Sequence, residues 1–529
     1  MAINSLKYVI FVAIVVVIYY LFPKRTKGIV LLIASYVFYF INSSKLTIYL
    51  IITTISIYCI SLLMTKIDKL AKEKCKLLEK DSKKIIKKNA KIKKKLLLVV
   101  ALVINFGILI ALKYCNFIFF NINSICNVFN IDFNIPFKNV VLPLGISYYT
   151  LQAVSYVVDV YRGKYKADKN FFRVALFVSF FPHIVEGPIG KYDLIADDIY
   201  NSHKFNYKNF TYSIQLILWG YFKKMVIADR AGLFVSTIFD NYTTYGGVII
   251  IASIMLYTLQ LYSEFSGCID IVRGVAGLFG ITLSENFKRP FFSKTVQEFW
   301  QRWHITLGVW LKEYVFYPIS FSKLTVKITG AFKKIVKNNY ITKILPSVIS
   351  MFFVWLVMGI WHGASWKYVF YGMYYYFIMM AGMVLSPLFK IILRKLKINT
   401  QKKWYKVMQI IRTHFFVFIG MMIFRASTIK EAFCIFKSIF SFKSIDKVLN
   451  GKIFSLGVGI SDFIIILVSV ILLYIVGIIQ EKEYMVRDKI AEKKVVVRWA
   501  IYYILIFSIL IFGIYGKGYN ASSFIYGNF

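Results

Sequence analysis

The sequence predicts an all-α integral membrane protein, a multi-pass helical bundle with about eleven or twelve transmembrane helices. Three observations carry this prediction. Of 529 residues, 58% are hydrophobic and 18% are aromatic, whereas an ordinary soluble domain is nearer half apolar. Apolar runs of roughly 20 residues, enough to cross a bilayer, recur along the chain. The basic residues are concentrated in loops that fall on one side when the spans alternate.

The apolar runs define the candidate spans. This pattern places the amino terminus outside, the basic segment 65–95 inside and the tail after Tyr515 outside. The candidate spans are 7–22, 28–42, 46–64, 96–112, 139–158, 210–228, 246–265, 345–361, 367–387, 406–424, 460–480 and 497–515.

The large positive charge reports membrane topology rather than a nucleic-acid partner. The formal net charge is +41, and the segment Lys66–Lys95 alone holds 14 lysines against four acids. Basic residues that cluster beside apolar spans follow the positive-inside pattern. Attraction to anionic membrane lipid at the cytoplasmic face is an expected consequence.

The chain therefore reads as one multi-pass membrane domain, residues 1–529. Its parts are N-terminal spans (1–64), a basic cytoplasmic loop (65–95), a core (96–387), C-terminal spans (388–515) and an extracytoplasmic tail (516–529). Within the core, 171–190 has two prolines and a glutamate late in an apolar run, which favours a re-entrant element. The charged, aromatic segment 285–319 favours an in-plane position.

One histidine lies on an aromatic stripe in the sequence Glu298–Tyr314, "EFWQRWHITLGVWLKEY". If this segment is a continuous helix, Trp300 and His304 share a face with two leucines. Arg302 and Glu298 then project to the opposite side, with the spacing of an ion pair. A core histidine bonded to a carbonyl is the simpler interpretation.

A second histidine, His362, follows an uncharged run that ends at Trp361. Polar groups at membrane depth usually face a bundle interior or a water-filled cavity. Small residues that follow it, including Gly363 and Ser365, allow close approach of backbone or substrate.

Two imidazoles near small and aromatic residues are suited to acyl transfer. A neutral imidazole can remove a hydroxyl proton as the oxygen attacks a thioester, and can then return that proton to the leaving group. The sequence contains no G-x-S-x-G, Walker A or HExxH motif. Its six cysteines show no CxxC and no metal-ligand spacing, so no metal site or bound cofactor is predicted.

Two acidic residues, Glu264 and Asp270, lie in an apolar segment that also contains Gln260. Internal pairing with Arg273 or with a nearby helix is favoured over a direct chemical role for these carboxylates.

Five segments resemble the membrane-bound O-acyltransferase family in identity and order. They are "LPLGISYYTLQAVSYVVDVYRG" (142–163), "SFFPHIVEGPIGKY" (179–192), "LQLYSEFSGCIDIVRGVAGLFGI" (259–281), "ENFKRPFFSKTVQEFWQRWHITLGVWLKEYVFYPI" (285–319) and "GIWHGASW" (359–366). The resemblance is greatest to the alginate O-acetyltransferase membrane subunit branch, and it extends to the D-alanyl transfer protein of teichoic acid modification. Departures include Glu264, where aspartate is usual in the family, and Cys268, where tyrosine is usual.

The resemblance implies a bundle around a central funnel or tunnel, with His362 in the place of the principal active-site histidine and His304 in the place of the second. It also implies a cytoplasmic thioester donor such as acetyl-CoA, an extracytoplasmic SGNH-type acetyltransferase as partner, and association with glycan-synthesis machinery. The substrate-lining candidates are Trp300, Trp303, Trp361, Gly363, Ser365, Gln260, Glu264 and Asp270. The tail "SSFIYGNF" is similar to an aromatic terminus of these systems, so Tyr526 becomes a candidate acyl carrier or docking residue.

Residues and resemblance together predict an enzyme of the bacterial cytoplasmic membrane. It is expected to pass an acyl group other than an amino-acyl group, most simply acetyl, to an exported polysaccharide or cell-wall polymer. Three alternatives stay open: D-alanyl transfer, a transporter or flippase of a glycan or lipid-linked precursor with a histidine proton relay, and a non-catalytic scaffold for an extracytoplasmic transferase.

Overall fold

The computed structural model describes residues 1–76, 78–336 and 338–515. These residues are almost entirely helical, and their one β-contact is an isolated antiparallel bridge between Phe287 and Trp303. The prediction of an all-α chain is confirmed. Over the same residues, seven helices are long and apolar enough to cross a membrane, or eight if one bent pair counts as a single span. Several shorter candidates, such as Leu6–Leu21, also form helices. A central funnel stays a prediction.

The described residues divide into two compact units, and the assignment of 1–529 to one membrane domain stays a prediction. The first comprises 1–214 and 272–284, and the second comprises 215–271 and 285–515, within the described residues. Helices Tyr207–Tyr221 and Gly247–Leu278 contribute residues to both. The other α-helices of the first unit are Leu6–Leu21, Lys27–Ser43, Thr47–Lys76, Lys80–Leu109, Cys115–Val128, Ile146–Arg162, Phe171–Ser179 and Tyr192–Tyr200.

Most of the described part of the basic segment 65–95 is helical, and its position as a cytoplasmic connection between spans stays a prediction. Helix Thr47–Lys76 runs out of the apolar stretch into the lysines, and helix Lys80–Leu109 returns through them. Lysine, leucine and isoleucine are compatible with a helix, and no glycine or proline interrupts the segment. Lys94 is 2.6 Å from Asp68 and ties the two helices together. Charge identifies the expected side of the membrane but does not prevent helix formation.

The second unit is built from many short and several long helices. Its spans include Asn339–His362 and Trp366–Val384, which pack against each other, and Lys403–Arg425, Ile460–Glu481 and Val495–Phe512. Its shorter α-helices are Asp229–Phe239, Val296–Arg302, Ile305–Leu311, Tyr317–Ser320, Lys323–Ile335, Ser386–Lys395, Ile429–Ser438, Ile445–Leu449 and Val486–Ala491. Within the described residues, three stretches have π-helical geometry: Ile110–Tyr114 in the first unit, and Phe222–Ala228 and Lys312–Phe316 in the second.

Glycines allow the close contact between spans Asn339–His362 and Trp366–Val384. A Cβ on Gly372 would lie 2.3 Å from the carbonyl oxygen of Trp355, and one on Gly359 would lie 2.4 Å from that of Tyr368. These distances are far below any real Cβ contact, so a side chain at either position would push the helices apart. Small residues at crossings between membrane helices allow this kind of backbone approach.

Gly372→Ala should therefore destabilise the protein, because the added methyl group meets the backbone of the adjacent helix. We expect a loss of about 1–3 kcal/mol, typical of overpacking. The matched control is Gly382→Ala in the same helix, where a Cβ has no other atom within 4 Å. This control should be neutral or slightly stabilising, because alanine favours helix more than glycine does. Thermal unfolding in detergent measures both variants, and equal melting temperatures would contradict the packing described.

Candidate active site

The helix expected over Glu298–Tyr314 is interrupted at Trp303 and His304, so the prediction of one continuous helix is wrong. Helix Val296–Arg302 ends at Trp303, which is extended, and helix Ile305–Leu311 begins after His304, which has φ +49° and ψ +51°. The interruption lets Trp303 form the antiparallel bridge with Phe287. The backbone N–H of Lys288 also donates to the carbonyl of Arg302 at 2.9 Å.

Asn286 provides the alternative hydrogen bonds that make this break possible. Its backbone carbonyl accepts from the Ile305 N–H at 3.0 Å. Its side-chain oxygen accepts from the N–H and the hydroxyl of Thr306, at 3.0 and 2.6 Å. These N–H groups belong to the first turn of helix Ile305–Leu311, which has no preceding turn to satisfy them. Asn286 is fully buried and acts from outside the helix as its cap.

An ion-pair cluster holds the residues on the other side of the break. Arg302 pairs with Glu298 at 2.8 Å, as the helical spacing predicted. Arg302 and Arg289 both donate to Oε1 of Glu481, each at 2.6 Å. Glu481 ends the span Ile460–Glu481, so this carboxylate fixes the segment before His304 to a helix from much later in the chain.

His304 is deeply buried in an aromatic surround. It is 1% exposed, and its ring lies 4.8 Å from that of Phe265 in an edge-on contact. Among the described residues, neither of its ring nitrogens has a hydrogen-bond partner. A positive φ is uncommon outside glycine, and such conformations are concentrated at functional sites. Burial lowers the pKa of the His304 imidazole to about 3, so the ring is neutral at physiological pH.

His362 is the last residue of span Asn339–His362 and is 2% exposed. Its ring contacts Tyr371 at 5.9 Å and Phe424 at 5.3 Å. A Cβ on the following Gly363 would lie 2.3 Å from the Tyr368 ring, so glycine allows that ring to lie against the chain. Ser365 makes the turn into helix Trp366–Val384, with its N–H donating to the Gly363 carbonyl at 3.0 Å.

Trp361 brings the two predicted histidines together. Its indole lies 5.7 Å from the His304 ring and 5.1 Å from the His362 ring, measured between ring centroids. Segments more than 50 residues apart in sequence thus meet on one aromatic side chain.

The two other tryptophans predicted for the site extend this aromatic cluster in different directions. Trp303 contacts Phe287 at 5.1 Å and Phe299 at 5.4 Å. Trp300 contacts Trp355 at 5.2 Å and Tyr375 at 4.8 Å. The Trp300 group is continuous with His362 through Tyr371, whose ring lies 6.3 Å from Trp300, 5.1 Å from Tyr375 and 5.9 Å from His362.

The acidic candidates are internally paired with a neighbouring helical segment, as favoured from the sequence. Glu264 lies 3.4 Å from Lys224, which also pairs with Asp229 at 2.7 Å. Asp270 lies 2.7 Å from Lys223. Both lysines are buried in the π-helical stretch Phe222–Ala228. These contacts place the two carboxylates in structural ion pairs and leave a direct chemical role untested.

Gln260 lies on the same long helix as these carboxylates, against Gly232. A Cβ on Gly232 would come within 2.8 Å of the Gln260 amide nitrogen, so the glycine leaves room for that amide. The Gln260 amide thus packs against helix Asp229–Phe239, and Tyr526 lies outside the described residues.

Four residues in these contacts were not predicted: Asn286, Glu481, Lys223 and Lys224. The lysines had a visible signal, because two adjacent charges inside the candidate span 210–228 require buried acidic partners. Asn286 and Glu481 had none, since their roles depend on contacts made after folding.

A family comparison gives this arrangement its context. The model of MBOAT, the membrane-bound O-acyltransferase family, matches residues 36–331, more than half of the chain. The chain belongs to this family. With its apolar helices, the MBOAT assignment makes it a multi-pass membrane protein.

Individual MBOAT relatives match at about 30% identity. The probable alginate O-acetylase AlgI of Pseudomonas putida is 31% identical over 343 residues, covering 64% of this chain and 63% of the relative. The peptidoglycan O-acetyltransferase of Helicobacter pylori is 29% identical over 375 residues, covering 65% of each. The teichoic acid D-alanyltransferase of Bacillus subtilis is 30% identical over 295 residues, covering 55% of this chain and 70% of the relative. The chain thus spans less than two thirds of the length of the first two relatives.

Removal of the Asn286 cap should damage the MBOAT site. Asn286→Ala leaves the buried N–H and hydroxyl of Thr306 without their acceptor, which costs about 1–3 kcal/mol for each unsatisfied group. We expect a lower melting temperature and loss of activity. Thr306→Ser retains both donors and is the matched control. Unchanged stability in the Asn286 variant would show that these hydrogen bonds do not hold the break.

Lowering the pH should destabilise the folded protein, because His304 is buried in its neutral form. Its pKa is about 3 in the folded protein against 6.5 ordinarily, so below pH 6.5 the unfolded chain binds a proton that the folded chain does not. The free energy of unfolding therefore decreases as the pH is lowered. Between pH 7 and pH 5, this one group accounts for a decrease of about 2 kcal/mol. His304→Gln should lose less stability than wild type between pH 7 and pH 5 in thermal unfolding. Equal losses would contradict the neutral, buried assignment.

Proposed function

We propose that this protein is a membrane O-acyltransferase that takes an acyl group, most simply acetyl, from a cytoplasmic thioester such as acetyl-CoA. The observation that supports it most is the contact of His304 and His362 with the same indole in a chain of the MBOAT family. Relatives named as O-acetyltransferases of alginate and of peptidoglycan favour an exported glycan as the final acceptor.

In the proposed reaction His362 is the general base. Its neutral imidazole removes the proton of an acceptor hydroxyl, the oxygen attacks the thioester carbonyl carbon, and the thiol leaves with the proton returned by the imidazolium. His304 positions the acyl or acceptor group, because its buried nitrogens are available to hydrogen-bond a polar reactant. The surrounding aromatic rings exclude water, which limits hydrolysis of the thioester.

The proposed setting is the bacterial cytoplasmic membrane, with both termini extracytoplasmic. The acyl group then passes outward to an extracytoplasmic SGNH-type acetyltransferase that works with the glycan-synthesis machinery. No bound cofactor is required, since the thioester is a substrate. Tyr526 in the tail is proposed as an acyl carrier or docking residue for that partner.

D-alanyl transfer is the second candidate, because a relative 30% identical to this chain is named a teichoic acid D-alanyltransferase. The same two histidines would serve either acyl group. The two candidates differ in the thioester consumed, so labelled acetyl and D-alanyl donors offered to the same membranes distinguish them.

Membrane vesicles that contain the protein and its polymer acceptor provide the test. His362→Ala should lower transfer of label from the thioester by about 10²–10⁴-fold, the usual contribution of a general base. His203→Gln is the control histidine variant, because His203 lies in the first unit and bonds the Asp198 carbonyl. Folded His362→Ala that transfers label at the wild-type rate would end the proposal. Label that crosses the membrane chemically unchanged would instead indicate a transporter.

A further inference from the structure

A basic cleft of 830 Å³ lies in the first unit, formed where the two charged helices of segment 65–95 run beside helix Ile146–Arg162. Its volume is that of a cavity for a small molecule or a lipid head group. Lys72 and Lys76 line it from the first charged helix, and Lys83, Lys87 and Lys91 line it from the second.

The cleft concentrates positive charge that the protein itself does not balance. Lys83, Lys87 and Lys91 follow one another at four-residue intervals and share a helix face, an arrangement that repels. Asp68 lines the cleft, but it is held by Lys94 at 2.6 Å. Among residues 1–76, 78–336 and 338–515, no carboxylate lies within 4 Å of any of the five lysines.

Lys94, which also lines the cleft, is held in place by two partners. Lys94 is buried, and its ammonium lies 5.6 Å from the centre of the Tyr161 ring as well as against Asp68. A ligand therefore meets the five outer lysines, which are more exposed and each carry three N–H donors. Ammonium groups on flexible stems suit phosphate oxygens as point charges.

The position of the cleft along the helices fits the same chemistry. Its lysines begin within about two turns of the end of the apolar stretch 46–64 and stop just before the apolar stretch 96–112. Clusters of four to eight basic residues beside a membrane helix attract anionic phospholipid head groups. Soluble diphosphates present the same oxyanions at the same surface.

We propose that this cleft binds a ligand with two or more phosphate charges, through Lys83, Lys87 and Lys91 on one side and Lys72 and Lys76 on the other. The site is separate from the two histidines and does not depend on the proposed acyl transfer.

The test compares two triple variants of the same helix in the full-length protein. Lys83→Gln/Lys87→Gln/Lys91→Gln removes three charges from the cleft. Lys84→Gln/Lys88→Gln/Lys95→Gln removes three exposed charges that do not line it. Both are placed in nanodiscs of zwitterionic phosphatidylcholine. One arm titrates ADP as a soluble diphosphate, and the other replaces part of the lipid with cardiolipin, which carries two phosphate groups, and measures bound lipid by native mass spectrometry.

We expect the cleft triple to bind at least one probe on the order of tenfold more weakly than wild type, with the control triple close to wild type. Raised salt should weaken wild-type binding. Loss only in the ADP arm identifies a soluble phosphate ligand, and loss only in the lipid arm identifies the membrane as the source. Equal weakening in both triples, or no binding in either arm, overturns the proposal.

Cys75 supplies a measurement on the unaltered protein. It lines the cleft and is half-buried, so a bound phosphate ligand should slow its alkylation by a soluble maleimide. The rate is read from the Cys75 peptide by mass spectrometry, with and without the probe that binds. An unchanged alkylation rate at saturating probe contradicts binding in this cleft, even if a triple variant fails to fold.

Discussion

The candidate active site depends on the hydrogen bonds that Asn286 makes to the start of helix Ile305–Leu311. Without an acceptor for the Thr306 N–H and hydroxyl, the chain around Trp303 would gain by continuing as a helix. With that acceptor, it can stop for two residues, form the bridge to Phe287 and turn His304 into a left-handed conformation. The cost of that conformation is therefore met by buried polar contacts 20 residues away in sequence.

A second constraint comes from charge inside an apolar chain. Lys223 and Lys224 are almost fully buried, and each has a carboxylate partner on helix Gly247–Leu278. Removing one partner of such a pair leaves an uncompensated charge, which costs far more than the pair contributes. The pairing therefore fixes the register of that helix, and the same helix carries Phe265 against the ring of His304.

The sequence predicted the features that depend on local pattern. Apolar runs predicted the helices, the four-residue spacing predicted the Arg302–Glu298 pair, and buried acids predicted internal ion pairs. Features that depend on distant partners were missed. The break at Trp303 and His304 requires Asn286, a partner that the local sequence pattern does not identify. The sequence suggested that the two histidines share one site, but their common contact with Trp361 is visible only in the tertiary structure.

The shared carboxylate of Glu481 has an implication for how this protein can be divided. It holds Arg289 and Arg302 from a position about 180 residues downstream of the break, and His362 also follows the part of the chain, 36–331, that matches the family model. A chimera or fragment limited to that matched region would still match the family model. It would lack His362, the proposed general base, and Glu481, whose ion pairs hold the segment next to His304. The region that identifies the family is therefore shorter than the region that the proposed site requires.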